Sequence, residues 1–443
     1  MRSSTWTALL VLPALGMLFG TQPSAVRAQG RSEPTTNRSK GFYLRDNDRV
    51  VFYGDSITDQ RLYTTYIESY CVSRFPKKHF TFIHSGWGGD RVTGGGGGPI
   101  DLRLDRDVFV YKPNVVTICL GMNDASYRAF DMGIFTTYVQ GYRHILDRLI
   151  KELPGVRITL LTASAYDDVT RPDGFLGGYN ATLTAYGEAV RELGKEYGLT
   201  VADTNAPLVA ALARAHSVDA DLSTQVIRDR VHPGSGGHLL MAAAVLKAWN
   251  APNTVADIEI DAANGKVKSL GSKITGLSVM IMPQQITFTH TDEALPWPLD
   301  RDADKNKDTL LMLGVTDTEE ALNHYRLKIT NLPAASYTLK VDGTDMGTVS
   351  RQQLQDGVDL AGLSALGPNQ QANAVLAMIR RHNDLHFQKW RNLQVPNSTG
   401  GKQITPEVQA RMNDLDHQEA DVLKGLPDAV APKPHSVVLT PSA

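Results

Sequence analysis

The sequence predicts an α/β protein: a mostly parallel sheet with helices on both faces, then a small β-rich module and a C-terminal helical segment. Three observations predict it. From about Phe42 to Trp249, short β-rich runs alternate with helical patterns, as repeated βαβ units require. After Pro252 the strand-like runs follow one another without long helices between them. From Asn369 to Trp390 apolar residues recur near helical spacing.

The chain opens with a processing signal. Arg2 gives a positive start, Trp6 to Phe19 is an apolar run broken by Pro13 and Gly16, and Ala25-Val26-Arg27-Ala28 matches a small-x-small cleavage pattern. Residues 1–28 are therefore expected to be a signal peptide, with Gln29 as the new N-terminus and a secreted or periplasmic protein as the outcome. The run is short for a bilayer span, which needs about 20 residues. No Cys follows it to carry a lipid, and no later segment is apolar enough to cross a membrane. Residues 29–41 are polar and read as a disordered leader.

Losing Arg2 and Arg27 takes the formal net charge from −2 to −4. A mildly acidic chain disfavours nucleic acid or an anionic membrane as the main partner. The roughly 415 remaining residues exceed one typical domain.

Strands are expected at Val50–Tyr53, Phe80–His84, Val115–Leu120, Val156–Thr162 and Leu199–Ala202, all β-branched or aromatic-rich. Helices are expected over Arg61–Arg74, Phe135–Leu153, Tyr179–Tyr197 and Leu239–Trp249. These make a first domain over 42–250. Ligands of such sheets bind beyond the carboxyl ends of the strands. The β-rich module, 251–352, carries strand-like runs at Ile258–Ile260, Gly276–Ile281, Gln285–Thr289, Tyr325–Thr330 and Tyr337–Val341. Asn331-Leu332-Pro333 separates the last two as a hairpin connection would. Residues 353–443 read as a helical segment and a polar tail, with one short helix near Pro406–Leu423. The stripe from Ala372 to Trp390 is not stable alone in water, so it must pack onto the first domain or the module.

Four short blocks carry chemistry: Gly54-Asp55-Ser56-Ile57-Thr58-Asp59, Ser85-Gly86-Trp87-Gly88-Gly89-Asp90, Gly121-Met122-Asn123-Asp124 and Asp229-Arg230-Val231-His232-Pro233. Ser56 stands at a strand-to-helix turn, where a hydroxyl is exposed and a backbone N–H is free. A serine needs an imidazole to take its proton, and a carboxylate to fix the imidazole's tautomer. Asp229 and His232 are three residues apart, so local geometry alone brings them together. Asn123 is a neutral donor able to stabilise an oxyanion. Each residue also fits a bland role: serine is a favoured helix cap, and the others suit ordinary loops.

The order and content of the blocks resemble the SGNH (GDSL-type) hydrolase family of esterases and lipases. The resemblance covers about half the chain. It implies a flavodoxin-like three-layer α/β/α domain, with Ser56 as nucleophile, His232 as general base and Asp229 as the acid that orients it. It also implies an oxyanion hole of the Ser56 and Gly89 backbone N–H groups and the Asn123 amide. The second block fits loosely, so Gly88 is an alternative donor to Gly89. The fourth position of the first block is Ile57, where the family name quotes Leu. Asp55, Asp90 and Asp124 are expected to accept hydrogen bonds from loop backbone. Gly94 to Gly98 read as a flexible surface loop or a mobile rim over the site.

Other motifs carry less. Cys71 and Cys119 are expected as buried free thiols, a disulfide being the alternative. Asp300-Arg301-Asp302-Ala303-Asp304 lacks the glycine and closing glutamate of a calcium loop and reads as a solvated turn. His382 and His386 are four apart with no acidic or Cys partner nearby in sequence. No Gly-x-Ser-x-Gly elbow and no phosphate-binding loop occurs. The expectation is a secreted serine esterase needing no cofactor or metal. Its substrates would be carboxylic esters, foremost short acetyl esters of saccharides, with aromatics such as Trp87 and Trp297 stacking on sugar rings. A lipase or general carboxylesterase is the alternative, as is an inactive carbohydrate-binding protein on the same scaffold.

Overall fold

The computed structural model describes residues 41–172, 177–281, 284–302, 304–398 and 403–442. The expected signal peptide, and the leader up to residue 40, lie outside these. The first layer set comprises β1 (Asp48–Gly54), α1 (Ser56–Asp59), α2 (Leu62–Arg74), β2 (Phe80–Gly86), β3 (Gly94–Gly95), β4 (Gly98–Pro99), α3 (Ile100–Asp107), β5 (Val115–Cys119), α4 (Met132–Glu152), β6 (Arg157–Leu161), α5 (Gly178–Tyr197), β7 (Thr200–Ala202), α6 (Ala206–Val218), α7 (Ala220–Ser223) and α8 (Ser235–Ala248). The central sheet runs β2-β1-β5-β6-β7, and every pairing is parallel. β5 is buried throughout and β1 from Val50 onward, which explains their unbroken apolar runs. The strand order reverses between β1 and β5. Open α/β sheets place their ligand crevice at that reversal.

The remaining elements are β8 (Thr254–Asp261), β9 (Lys266–Leu270), β10 (Ser272–Ile281), β11 (Gln284–Asp292), α9 (Lys307–Gly314), α10 (Thr318–Leu322), β12 (His324–Thr330), β13 (Ser336–Val341), β14 (Thr344–Ser350), α11 (Arg351–Asp356), β15 (Val358–Asp359), α12 (Gly367–Phe387), a π-helix (Gln388–Gln394), α13 (Val395–Ser398), α14 (Pro406–Val430) and β16 (Pro434–Pro441). Two sheets, β10-β11-β16-β13-β14 and β15-β12-β8-β9, enclose a second core around Ile260, Phe288, Ile329, Leu339 and Leu439.

Two expectations need correction here. Asn331-Leu332-Pro333 does not close a hairpin. β12 pairs with β8 and β15, whereas β13 pairs with β14 and β16, so the segment crosses from one sheet to the other. A turn signal marks a reversal of direction and does not reveal which strand the chain then joins. The tail read as polar supplies β16, a strand between β11 and β13, with Val437 and Leu439 turned into the core.

The apolar stripe of α12 packs on the first domain. The Asn383 amide of α12 donates to Thr65 Oγ1 at 3.2 Å and Glu68 Oε2 at 3.0 Å, both on α2. Trp390 is buried, and its Nε1 donates to Asp107 Oδ1 at 2.7 Å. α14 returns along α12, and its Glu419 lies 2.9 Å from His382 Nε2. The acidic partner that His382 lacks locally therefore comes from a distant helix. No group of three or more His, Cys, Asp or Glu able to hold a metal occurs among the described residues. Cys71 and Cys119 are both buried and free.

Candidate active site

The site is assembled at the carboxyl ends of β1, β2 and β5. β1 ends at Gly54, where a Cβ would lie 2.6 Å from the Cys119 carbonyl oxygen, so only glycine allows the strands to approach this closely. Asp55 then caps α1, its carboxylate accepting from the Ile57 N–H at 3.0 Å. Capping thus falls to Asp55, and Ser56 occupies the first helical position with its side chain half-buried.

His232 reaches Ser56 from the loop before α8. Its Nε2 lies 2.8 Å from Ser56 Oγ. Its Nδ1 lies 2.6 Å from Asp229 Oδ2. The other carboxylate oxygen, Oδ1, accepts from the backbone N–H groups of Val231 at 3.0 Å and His232 at 2.7 Å. The three-residue spacing works because the acid folds its own loop as well as orienting the ring. Partial burial works against ionisation of Asp229. The His232 and Val231 N–H groups and the imidazole outweigh it and hold the carboxyl below its ordinary value. The charged form is the one that can keep a proton on Nδ1 and leave Nε2 able to accept from the serine.

Asn123 follows β5 and is buried. Its amide donates to the Asp90 carbonyl at 3.1 Å, and its Oδ1 accepts from the Tyr127 hydroxyl at 2.9 Å. In the second block the Gly88 N–H donates to Asp59 Oδ2 at 3.2 Å. That bond commits Gly88 to Asp59, and Gly89 becomes the better placed of the two alternative donors. Gly89 has φ +77 and open space where a Cβ would stand, so its requirement for glycine is conformational.

The three flanking carboxylates accept from loop backbone: Asp55 from Ile57, Asp90 from the Gly97 N–H at 3.3 Å, and Asp124 from the Val92 N–H at 2.9 Å. The glycine run is no loose loop. β3 and β4 fold it back against the second block, where a Cβ on Gly95 would lie 2.5 Å from the Gly89 carbonyl oxygen. Fully buried Arg103 fastens this arrangement, bonding Asp90 Oδ2 at 2.6 Å, the Ser85 carbonyl at 2.7 Å and Asp107.

The C-terminal segment reaches the same block. Arg391, on the π-helix, lies with its guanidinium carbon 3.2 Å from the centroid of the Trp87 ring and 3.5 Å from Asp59 Oδ2 through a terminal nitrogen. Trp390 packs edge-on to Trp87. Single-turn π segments cluster at functional sites, and this one seats two side chains on the loop that carries Gly89. Sequence reasoning missed Arg103, Tyr127 and Arg391, which lie outside the four blocks. Trp297, expected to be exposed, is buried with its Nε1 donating to the Tyr66 carbonyl at 2.9 Å, and it is unavailable to a sugar.

Burial raises two carboxyls beside the site, Asp55 to about 8 and Asp124 to about 7. An acid whose folded pKa exceeds its unfolded value binds more protons when folded. Its stabilising contribution is full below about pH 4 and is lost as pH rises through about 7 to 8. Asp55→Asn keeps an acceptor for Ile57 but cannot ionise. Its thermal midpoint is expected to fall less than wild type between pH 5 and pH 9, measured by calorimetry; parallel curves would contradict the assignment.

Residues 52–240 match the family model described as GDSL-like Lipase/Acylhydrolase family. The chain is similar to an acetylxylan esterase of Geobacillus stearothermophilus, at 25% identity over 223 residues, covering 46% of this chain and 94% of the relative. It also resembles a solved structure described as a gut microbial diltiazem-metabolizing enzyme, with TM-score 0.77, 25% identity, and coverage of 91% of this chain and 99% of that one. A solved structure of an acetylxylan esterase from Geobacillus stearothermophilus matches with TM-score 0.39 and 23% identity, over 47% of this chain and 97% of that one. No helix among the described residues is long and apolar enough to cross a membrane.

Proposed function

From the premise that residues 52–240 belong to the GDSL-like lipase/acylhydrolase family, making this a serine ester hydrolase, we propose a secreted esterase that removes short acyl groups, foremost acetyl, from saccharides. One observation carries the mechanism: the unbroken chain from Ser56 Oγ through His232 to Asp229 at 2.8 and 2.6 Å. The imidazole takes the serine proton as Oγ attacks the ester carbonyl. The Asn123 amide and the N–H groups of Ser56 and Gly89 receive the oxyanion. The alcohol leaves with the proton from imidazolium, and water then repeats the cycle on the acyl-enzyme.

The short acyl preference draws support from the likeness to an acetylxylan esterase. The acetylxylan esterase likeness supports the saccharide. Export is supported by Arg2, the apolar run and Ala25-Val26-Arg27-Ala28. A second reading, a carboxylesterase for small organic esters, is favoured by the whole-chain likeness to the diltiazem-metabolizing enzyme.

A panel of chromogenic esters from acetate to octanoate, run beside acetylated xylo-oligosaccharides and acetylated aryl alcohols, separates the readings. The expected result is kcat/KM greatest for acetate, with sugar acetates ahead of aryl acetates. A rise with chain length would point to a lipase, and a lead for aryl acetates would favour the second reading.

A further inference from the structure

We propose that Tyr127 is a positioning residue that fixes which way the Asn123 amide faces and so keeps an N–H of that amide aimed into the site. The inference rests on the reading of Asn123 as an oxyanion donor and goes beyond it.

An asparagine amide has one acceptor oxygen and two N–H donors. Here the Tyr127 hydroxyl donates to Oδ1 at 2.9 Å, and one N–H is spent on the Asp90 carbonyl at 3.1 Å. The second N–H is the donor left for a developing oxyanion. A flipped amide would turn Oδ1 toward the Asp90 carbonyl and the oxyanion, setting oxygen against oxygen. The Asp90 carbonyl, which can only accept, opposes that flip, and the Tyr127 hydroxyl adds to it by anchoring Oδ1 in the orientation Asp90 selects.

Tyr127 is itself held in place. Ser126 and Tyr127 both have positive φ, 60° and 54°, in a region that non-glycine residues seldom enter, least of all consecutively. Such backbone persists where its surroundings over-determine it, and it concentrates at functional sites. The turn is closed by the Ser126 N–H donating to the Asn123 carbonyl at 3.1 Å. The Tyr127 ring stacks on Tyr179 with centroids 5.0 Å apart, and the Tyr179 hydroxyl donates to the Met122 carbonyl at 2.5 Å. Both ends of the lock therefore belong to the loop that carries Asn123. Although the Tyr127 ring is part-exposed, desolvation of its hydroxyl, with Asp55 and Asp229 adding to it, pushes it up to about 12, so it remains a donor across the working range.

The test is a double-mutant cycle on the full chain with an acetate ester. Tyr127→Phe removes the hydroxyl and keeps the stacked ring. It should lower kcat about tenfold, as one hydrogen bond is worth, with KM and the thermal midpoint close to wild type. Asn123→Ala should lower kcat by about 10² to 10³. The double variant should match Asn123→Ala alone, because Tyr127 acts through Asn123. Wild-type kcat in Tyr127→Phe, or losses that multiply in the double variant, would overturn the proposal while leaving Asn123 its role. If Asn123→Ala itself retained full kcat, the oxyanion reading would fall first, and this inference with it.

Discussion

Ser56→Ala and His232→Ala are each expected to lower kcat by about a million-fold, because nucleophile and base act as one unit and either loss disables both. The double variant should be no worse than either single one. Asp229→Asn is expected to cost about 10⁴. The substituted amide still offers an oxygen to the Val231 and His232 N–H groups, so the loop survives. It also presents an N–H where the carboxylate accepted from Nδ1. The imidazole then carries its proton on Nε2, 2.8 Å from Ser56 Oγ, and cannot accept another. Steady-state hydrolysis of an acetate ester measures all three, and calorimetric titration of Ser56→Ala with an acetylated oligosaccharide reads binding separately. Binding that survives the loss of hydrolysis identifies an esterase. Wild-type protein that binds and hydrolyses no faster than Ser56→Ala would instead identify a binding protein on an esterase scaffold.

The parts of the fold legible in the sequence are those with a strong local signal. β5, and β1 from Val50 onward, are buried on both faces and so read as continuous apolar runs; α4 and α5 show helical spacing over five turns or more. Three of the four chemical blocks were legible because each lies at a strand end, where the fold needs glycine and the chemistry needs Ser or Asn at fixed offsets; the fourth was legible from its own Asp-to-His spacing on the loop before α8. What local sequence could not carry was pairing over distance. Asn331-Leu332-Pro333 announces a reversal equally well for a hairpin and for a crossing between sheets. Gly94 to Gly98 read as flexible because glycine permits motion, yet here it permits contact, with Gly89 and Asp90 against the run. Arg103, Tyr127 and Arg391 bear on the site through contacts with residues outside their own segments, and a lone Arg or Tyr has no spacing to betray it. Trp297 misled for the same reason: an aromatic in a Pro-rich stretch suits an exposed stack and a buried anchor alike, and only α2, distant in sequence, decides between them.

The second large effect concerns the last residues of the chain, which the polar composition disguised. His435, Val437 and Leu439 alternate inward with period two, a strand signal obscured by the prolines at 432, 434 and 441. Deleting residues 433–443 removes a strand from the interior of a sheet. β11 loses its partner from Ile286 to Thr291, and β13 loses its partner from Tyr337 to Val341. Burial of the Val437 and Leu439 side chains contributes about 1.5 to 3 kcal/mol each, and each ladder hydrogen bond about 1 kcal/mol more. The total approaches the whole stability of an ordinary domain, about 5 to 15 kcal/mol. It also splits one five-stranded sheet in two, leaving β11 and β13 each with a new unpaired edge. The deletion is therefore expected to yield aggregated protein, or soluble protein that binds a hydrophobic dye and has lost its main calorimetric transition. Leu439→Ala, a milder change, should cost about 2 to 5 kcal/mol and leave a folded protein. The consequence reaches the site by a defined route: β16 ends the segment whose α12 and π-helix set Trp390 on Asp107 and Arg391 on Trp87. Leu439→Ala should then show normal kcat at low temperature and lose activity together with its thermal transition. A deletion variant with unchanged midpoint and full activity would show that neither the strand nor the helices it anchors support the catalytic loops.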